Sequence, residues 1–180
     1  MKDPGTDIEF LNEVYAAARN KYKPNNINVL IIAEAPPCAL DRFFYFEEVK
    51  TQDSLFLEIM GILYPKEKQR YLSSGRDPSM KRNLLETFKL DGYWLLDLSE
   101  IPTSVSNNSL ESCVPSLVSK LEKHIDKNTP IILIKSNVYD ICYEALKAKG
   151  YRVINERLPF PGSGQQKVFR EKFARALGLA

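Results

Sequence analysis

The stretch that most constrains this chain is Val29 to Pro37, Val-Leu-Ile-Ile-Ala-Glu-Ala-Pro-Pro, an apolar run that stops on a carboxylate followed by two prolines. Four consecutive large aliphatic residues suit a strand buried on both faces, as in a parallel sheet covered by helices. Such a strand leaves Glu34 at its carboxyl end, and ligands bind in the crevice beyond those ends in open α/β sheets. The proline pair stiffens the loop that carries the acid.

Further elements follow from periodicity and punctuation. Thr6 or Asp7 can cap a helix with Ile8, Leu11, Val14, Tyr15 and Ala18 at helical spacing. Asp41-Arg-Phe-Phe-Tyr-Phe-Glu-Glu48 then carries four adjacent aromatics, which cannot all share one buried face. Some of Phe43, Phe44, Tyr45 and Phe46 should line a cleft or reach the surface, the alternative being that they pack a loop onto the core. Ser54 to Leu63 reads as an apolar helix stopped by Pro65, and Lys66 to Arg76 as a polar connection with a turn at Ser73-Ser-Gly75. Asp77-Pro78 opens a helix to about Leu90, with Met80, Leu84, Leu85 and Phe88 inward. Tyr93 to Leu98 is a second strand, and Asp97 falls near its end as Glu34 does in the first.

After the loop at Ile101 to Asn108, Ser109 caps a helix to about Asp126 whose regularity Pro115 limits. Pro130 to Lys135 is a third buried strand, followed by a helix from about Val138 to Lys149 that Gly150 terminates. Tyr151 to Asn155 is a more polar fourth strand. Leu158-Pro-Phe-Pro-Gly-Ser-Gly-Gln-Gln166 leads into a last helix with Val168, Phe169, Phe173 and Leu177 inward. Strands separated by helices imply one α/β domain over residues 1–180, a three-layer α/β/α sandwich on a four-stranded parallel sheet.

Composition narrows the function classes. The three cysteines, Cys38, Cys113 and Cys142, have no paired spacing, so a disulfide frame or zinc ribbon is not expected. No apolar run approaches the roughly 18 residues that span a bilayer, and Met1-Lys-Asp-Pro-Gly5 has no signal-peptide core, so a cytoplasmic protein without membrane contact is expected. The one histidine, His124, sits near a helix end, where a cation suits the helix dipole and no catalysis is needed. Net charge is +2, too small to announce a polyanionic partner. From Lys147 to Arg175, however, eight Lys or Arg face two acids, which reads as a basic region or as a solvated helix face.

Four loops should therefore meet at one sheet edge, bearing Glu34, Asp97, Lys135-Ser136 and Pro161-Gly-Ser-Gly164. The glycine turn, Gly162-Ser163-Gly164 with Gln165 and Lys167 after it, can cradle an anion at a helix start or serve only as a flexible entry. Glu34 can alternatively bond loop N–H groups, Asp97 can cap a turn, and Lys135 can be a solvent-facing terminus. There is no Gly-x-x-x-x-Gly-Lys-Ser/Thr and no Gly-x-Gly-x-x-Gly, which argues against kinase-like or dinucleotide-dependent chemistry.

With these motifs placed, the chain resembles the uracil-DNA glycosylase superfamily from Val29 to about Leu177. Ile31-Ile-Ala-Glu-Ala-Pro-Pro37 looks like the loop whose acid positions the attacking water, so the resemblance gives Glu34 that role. Leu95-Leu-Asp-Leu98 resembles the strand whose terminal Asn reads the base edge, so Asp97 matches by position and differs by type. Pro159-Phe-Pro-Gly-Ser163 falls where the family has its His-Pro-Ser loop, with Phe160 in place of the histidine. Phe44, or its neighbours Phe43 and Tyr45, would match the aromatic that stacks on the flipped base. The implied activity is hydrolysis of an N-glycosidic bond in DNA repair, on a damaged or deaminated base.

An ionised Asp97 accepts hydrogen bonds only, so a base presenting an exocyclic amine, cytosine-like or adenine-like, or a protonated ring nitrogen is expected. Neither metal nor cofactor is expected: the cysteines lack the number and spacing of the family's iron–sulfur branch. Expected partners are DNA, single-stranded included, or a free nucleobase or nucleotide, acting on a monomer. Two rivals remain: a binding module that keeps the nucleotide-shaped cleft without turnover, and a small-molecule hydrolase on a flavodoxin-like sheet.

Overall fold

Val29–Ala33 forms β1, the middle strand of a parallel sheet, in a computed structural model that describes residues 7–162 and 164–179. Its neighbours are β2, Tyr93–Asp97, and β3, Ile131–Leu133, in the order β2-β1-β3. Register runs from Val29 opposite Tyr93 to Ala33 opposite Asp97, and from Leu30 opposite Ile131 to Ile32 opposite Leu133. Hydrogen bonding continues past the strand ends: Ser99 N–H donates to Glu34 O at 2.9 Å and Ile134 N–H to Ile32 O at 2.8 Å. The loops that carry the candidate residues are thus held in register before any side chain contributes.

The expected fourth strand is absent as a strand. Val153 and Leu158 make isolated parallel bridges to Ile131 and Ile134. Between and beside these bridges, Val153 N–H turns back to Tyr151 O and Glu156 N–H to Ile154 O. Three-residue turns of this kind spend the donors a continuous ladder needs, so the sheet has three strands and not four.

Seven α-helices accompany the strands among the described residues. Asp7 caps α1, Ile8–Lys21, through bonds from Glu9 and Phe10 N–H, and Leu11 and Tyr15 are buried as expected, while Ile8 is exposed. Thr6, the alternative cap, lies outside the described residues. The next helix, α2, covers Ser54–Leu63. It stops before Pro65 as expected, but Pro65 also starts α3, Pro65–Ser73, within the stretch expected as a polar connection, because proline at the first position gives up an N–H that has no partner there anyway. Asp77 caps α4, Pro78–Leu90. A 3-10 turn, Glu111–Cys113, leads into α5, Val114–His124, with Pro115 in its first turn. The last two are α6, Ser136–Ala148, and α7, Gln166–Ala176.

Side chains alternate across a strand, and here the alternation meets helices in both directions. Trp94 donates to Arg19 O of α1 and meets the His124 ring of α5 edge-on, whereas Tyr93 stacks on Phe88 of α4. One buried cluster runs from Leu11 through all three strands to Phe173 of α7. The inward face of α4 departs from expectation. Met80 is 39% exposed, and Lys81 is buried in its place at 0% exposure beside Leu84, Leu85 and Phe88.

The aromatic run is packed more tightly than expected, with Phe43, Phe44 and Tyr45 all buried. Tyr45 is structural. Its hydroxyl accepts from Leu95 N–H at 2.7 Å and donates to Leu95 O at 2.9 Å, closing the free edge of β2. Tyr45→Phe strands a buried backbone donor and acceptor together, and is expected to lower stability by about 2 kcal/mol in urea denaturation. A loss below about 0.5 kcal/mol would mean that water replaces the hydroxyl at that edge.

Candidate functional site

Beyond the carboxyl ends of the strands lies a cleft of about 310 Å³. Each strand sends one ionisable residue to it: Glu34 follows β1, Asp97 ends β2 and Lys135 follows β3. Phe43, Phe44 and Phe56 supply aromatic wall, and Phe160, 44% exposed, stands at the cleft as the only described residue contributed by the loop before α7. Tyr15 holds the proline loop from below by donating to Pro37 O at 2.7 Å. A small cleft with mostly apolar walls and a few convergent charges suits a planar ring with a polar edge.

Glu34 is held from the β3 side. Lys135 Nζ lies 2.6 Å from its Oε2, and Asn137 Nδ2 donates to the same oxygen. Among the described residues both donors use Oε2, which leaves Oε1 as the oxygen a cleft water can approach. Lys135 achieves this from a strained backbone, with φ at +82° in a residue that has a Cβ. Gln52, which also lines the cleft, has φ +56°, and Arg76, whose guanidinium clamps the cleft residue Asp53 at 3.0 and 3.3 Å, has φ +63°. These are the non-glycine residues of positive φ among those described, and all three border one site. Strain of order 1 kcal/mol or more at each persists only where surroundings over-determine it, as at ligand sites.

Asp97 is 6% exposed, and its Oδ2 is enclosed with no hydrogen-bond partner among the described residues. Burial pushes its carboxyl up to about 6; the positive charges of Arg19 and Lys120 oppose the rise and Glu34 adds to it. Burial thus favours the neutral carboxyl more than in an ordinary aspartate, so both the neutral and the ionised form bear on what the cleft can hold. Its neutral form has one donor and an acceptor, and its charged form has acceptors alone.

Other expected residues do not join the cleft. Ser136 opens α6 and does not line it. Pro161 is buried beside it, Gly162, Gly164, Gln165 and Lys167 lie away from its lining, and Ser163 is outside the described residues. The expected convergence of four loops holds for three strand ends and Phe160, and the described residues of the glycine turn do not line this cleft. The reason is local: Gln165 N–H bonds back to Gly162 O, and α7 begins only at Gln166.

The basic region is also less bare than its composition. Arg157 pairs with Asp140 at 2.7 Å, Arg170 with Glu58 at 2.9 Å and Arg175 with Glu156 at 2.8 Å. His124 stays peripheral, its Nδ1 2.8 Å from Lys23 Nζ, with burial and the neighbouring lysines holding the imidazole below its usual range. Arg42, Asn137 and Phe56 are site residues that the sequence reading passed over. Among the described residues no group of three His, Cys, Asp or Glu side chains could hold a metal ion, and no helix is long and apolar enough to cross a membrane. Comparison with protein-family models, with curated proteins and with solved structures gives no match.

Proposed function

We propose that this protein is an N-glycosidic hydrolase of the glycosylase type, built as an α/β/α sandwich, which releases a heterocyclic base from a nucleotide unit of DNA. The observation that carries the reading is the pairing of strand ends: Ala33 and Asp97 are register partners, so Glu34 and Asp97 open side by side onto one aromatic cleft. A base lies against Phe43, Phe44 and Phe160 with its polar edge at Asp97. The sugar then sits by Glu34, whose carboxylate stabilises the cation-like ring and orients water from Oε1.

Departure of the base needs stabilisation of its developing negative charge, and Phe160 donates nothing to it. Neutral Asp97 can. Its O–H points a proton at a base carbonyl while its other oxygen accepts from the adjacent ring N–H, the edge shared by uracil and hypoxanthine. Ionised Asp97 meets an exocyclic amine instead. Affinity for free uracil is therefore expected to be constant below about pH 6 and to fall up to tenfold per pH unit above it. Asp97→Asn, which keeps donor and acceptor at every pH, flattens that profile and binds uracil better than the parent at pH 8. A parent profile as flat as the variant's would remove Asp97 from base recognition.

The test of the function is release of free base from labelled oligonucleotides carrying uracil, hypoxanthine or a mismatch, single- and double-stranded. Release at pH 5.5 to 6.5 supports hydrolysis. Binding of the same oligonucleotides with no release supports a second reading, a nucleotide-binding module without turnover, which the donorless Phe160 at the cleft favours. Neither binding nor release overturns both.

A further inference from the structure

The charges of the cleft do not all pair. Its lining holds Glu34, Arg42, Asp53, Asp97 and Lys135. Glu34 is matched by Lys135, Asp53 by both arms of Arg76, and Asp97 stands at 6% exposure with no ion-pair partner within bonding distance among the described residues. Arg42 is left over. Its nearest acid is Asp41, 3.7 Å from Nε on a side chain that is 77% exposed, a separation and exposure at which the pairing is largely screened. Nε itself is enclosed and has no hydrogen-bond partner among the described residues.

The enclosed Nε is out of a cleft ligand's reach, but the side chain lines the cleft and keeps 32% exposure, so the rest of its guanidinium can take a ligand oxygen. The planar fork of arginine fits phosphoryl oxygens in pairs, whereas Lys135, the other cation here, is already held by Glu34. Arg42 also directly precedes Phe43 and Phe44 in the chain. A base against those rings leaves the sugar's outer substituent within the same loop's reach. The paired arginines of the C-terminal region, Arg157, Arg170 and Arg175, compete little for that role.

We propose that Arg42 is the phosphate-binding residue of the cleft, so that the ligand is a nucleotide carrying a phosphate next to the sugar and not a free base or nucleoside. The inference rests on reading the cleft as a base pocket. It adds the substrate's charged group and the side chain that selects for it. The phosphate can belong to a free nucleoside monophosphate or to a phosphodiester within a strand, and the chemistry at Arg42 is the same.

Calorimetric titration at pH 5.5 decides it, with deoxyuridine, deoxyinosine, their 3′- and 5′-monophosphates, and a short single-stranded oligonucleotide containing one deoxyuridine. The parent is expected to bind at least one monophosphate about tenfold more tightly than its nucleoside, by a margin that shrinks as salt rises. Arg42→Gln abolishes the margin while nucleoside affinity stays within about twofold, which shows that the variant is folded, and Arg42→Lys restores part of it. An oligonucleotide that outbinds the monophosphates and loses as much in Arg42→Gln assigns the phosphate to a strand; equal affinities assign it to a free nucleotide.

Equal binding of nucleosides and monophosphates, equal losses of both in Arg42→Gln, or no binding of any probe overturns the inference. Because the readout is binding, a cleft that prefers nucleotides yet releases no base refutes only the hydrolase. Base released equally well from nucleosides and nucleotides refutes only the role of Arg42.

Discussion

Glu34→Gln is expected to lower base release by about a thousandfold while leaving nucleotide affinity within about threefold. Glutamine keeps the size and an oxygen for Lys135 and Asn137, so the hydrogen bonds that order the loop survive in part. What it removes is the negative charge beside the sugar and the basic oxygen beside the water. Both matter more in the transition state than in the bound complex, so the loss belongs in kcat and not in KM. Single-turnover release measured alongside equilibrium binding separates the two. A variant within about fivefold of the parent would take Glu34 out of catalysis and leave the binding module as the better account.

Lys81→Met is expected to stabilise the protein by about 3 kcal/mol at pH 7. Lys81 is wholly buried, its Nζ has no hydrogen-bond partner among the described residues, and it lies 4.4 Å from the centre of the Phe56 ring. Burial pushes its amine down to about 7; Asp53 and Glu47 pull upward and Arg76 pushes further down. The unfolded chain keeps a lysine protonated up to about pH 10.4. Between those two values the unfolded state holds a proton that the folded state has given up, so stability rises with pH across the interval. Below about pH 7 both states are protonated and the penalty is complete.

The titration interval sets a ceiling near 5 kcal/mol, and loss of the ring contact together with relaxation of the buried charge brings the expected gain down to about 3. Urea denaturation from pH 6 to 9 reads the difference. The parent gains on the variant as pH rises, and the gap is widest at pH 6 to 7. Equal stabilities at pH 7, or parallel pH profiles, would mean that the amine reaches water. Phe56 lines the cleft, so the buried cation sits behind the pocket wall.

Lys81 also shows where the sequence was read against its own spacing. Positions 81, 84, 85 and 88 keep the i, i+3, i+4, i+7 pattern of one helix face, but position 81 is a lysine and Met80 beside it is apolar. Helix geometry, and not the hydrophobicity of the single residue, decides which of the two turns inward. Elements with strong local signals were legible: the aliphatic runs of β1 and β2, the Asp7 cap, and Asp77-Pro78 at the head of α4. Both strand-end acids were legible for the same reason, since the end of a run of buried residues is a position and not a motif.

What local pattern cannot carry was missed. The polar α3 buries Tyr71 and little else, so it has almost no periodicity to detect. The segment after Gly150 has strand-like composition and loses its ladder to turns that depend on tertiary placement. Arg42 lines the cleft and Asn137 reaches Glu34 through chain geometry that no spacing rule encodes, and the described residues of the glycine turn miss the lining for the same cause.

Both flanks of the sheet are closed, and by different means. On one flank the Tyr45 hydroxyl occupies the donor and the acceptor of Leu95; on the other, the turns of residues 151–158 touch β3 at two points and bend away between them. An open flank is a template on which a second polypeptide can add by main-chain pairing, and it seeds fibrils when it is long and flat. Here a foreign strand finds a phenol in its path on one side and a crooked segment on the other. Sheet-to-sheet association of this protein must therefore begin with displacement of one of those two segments.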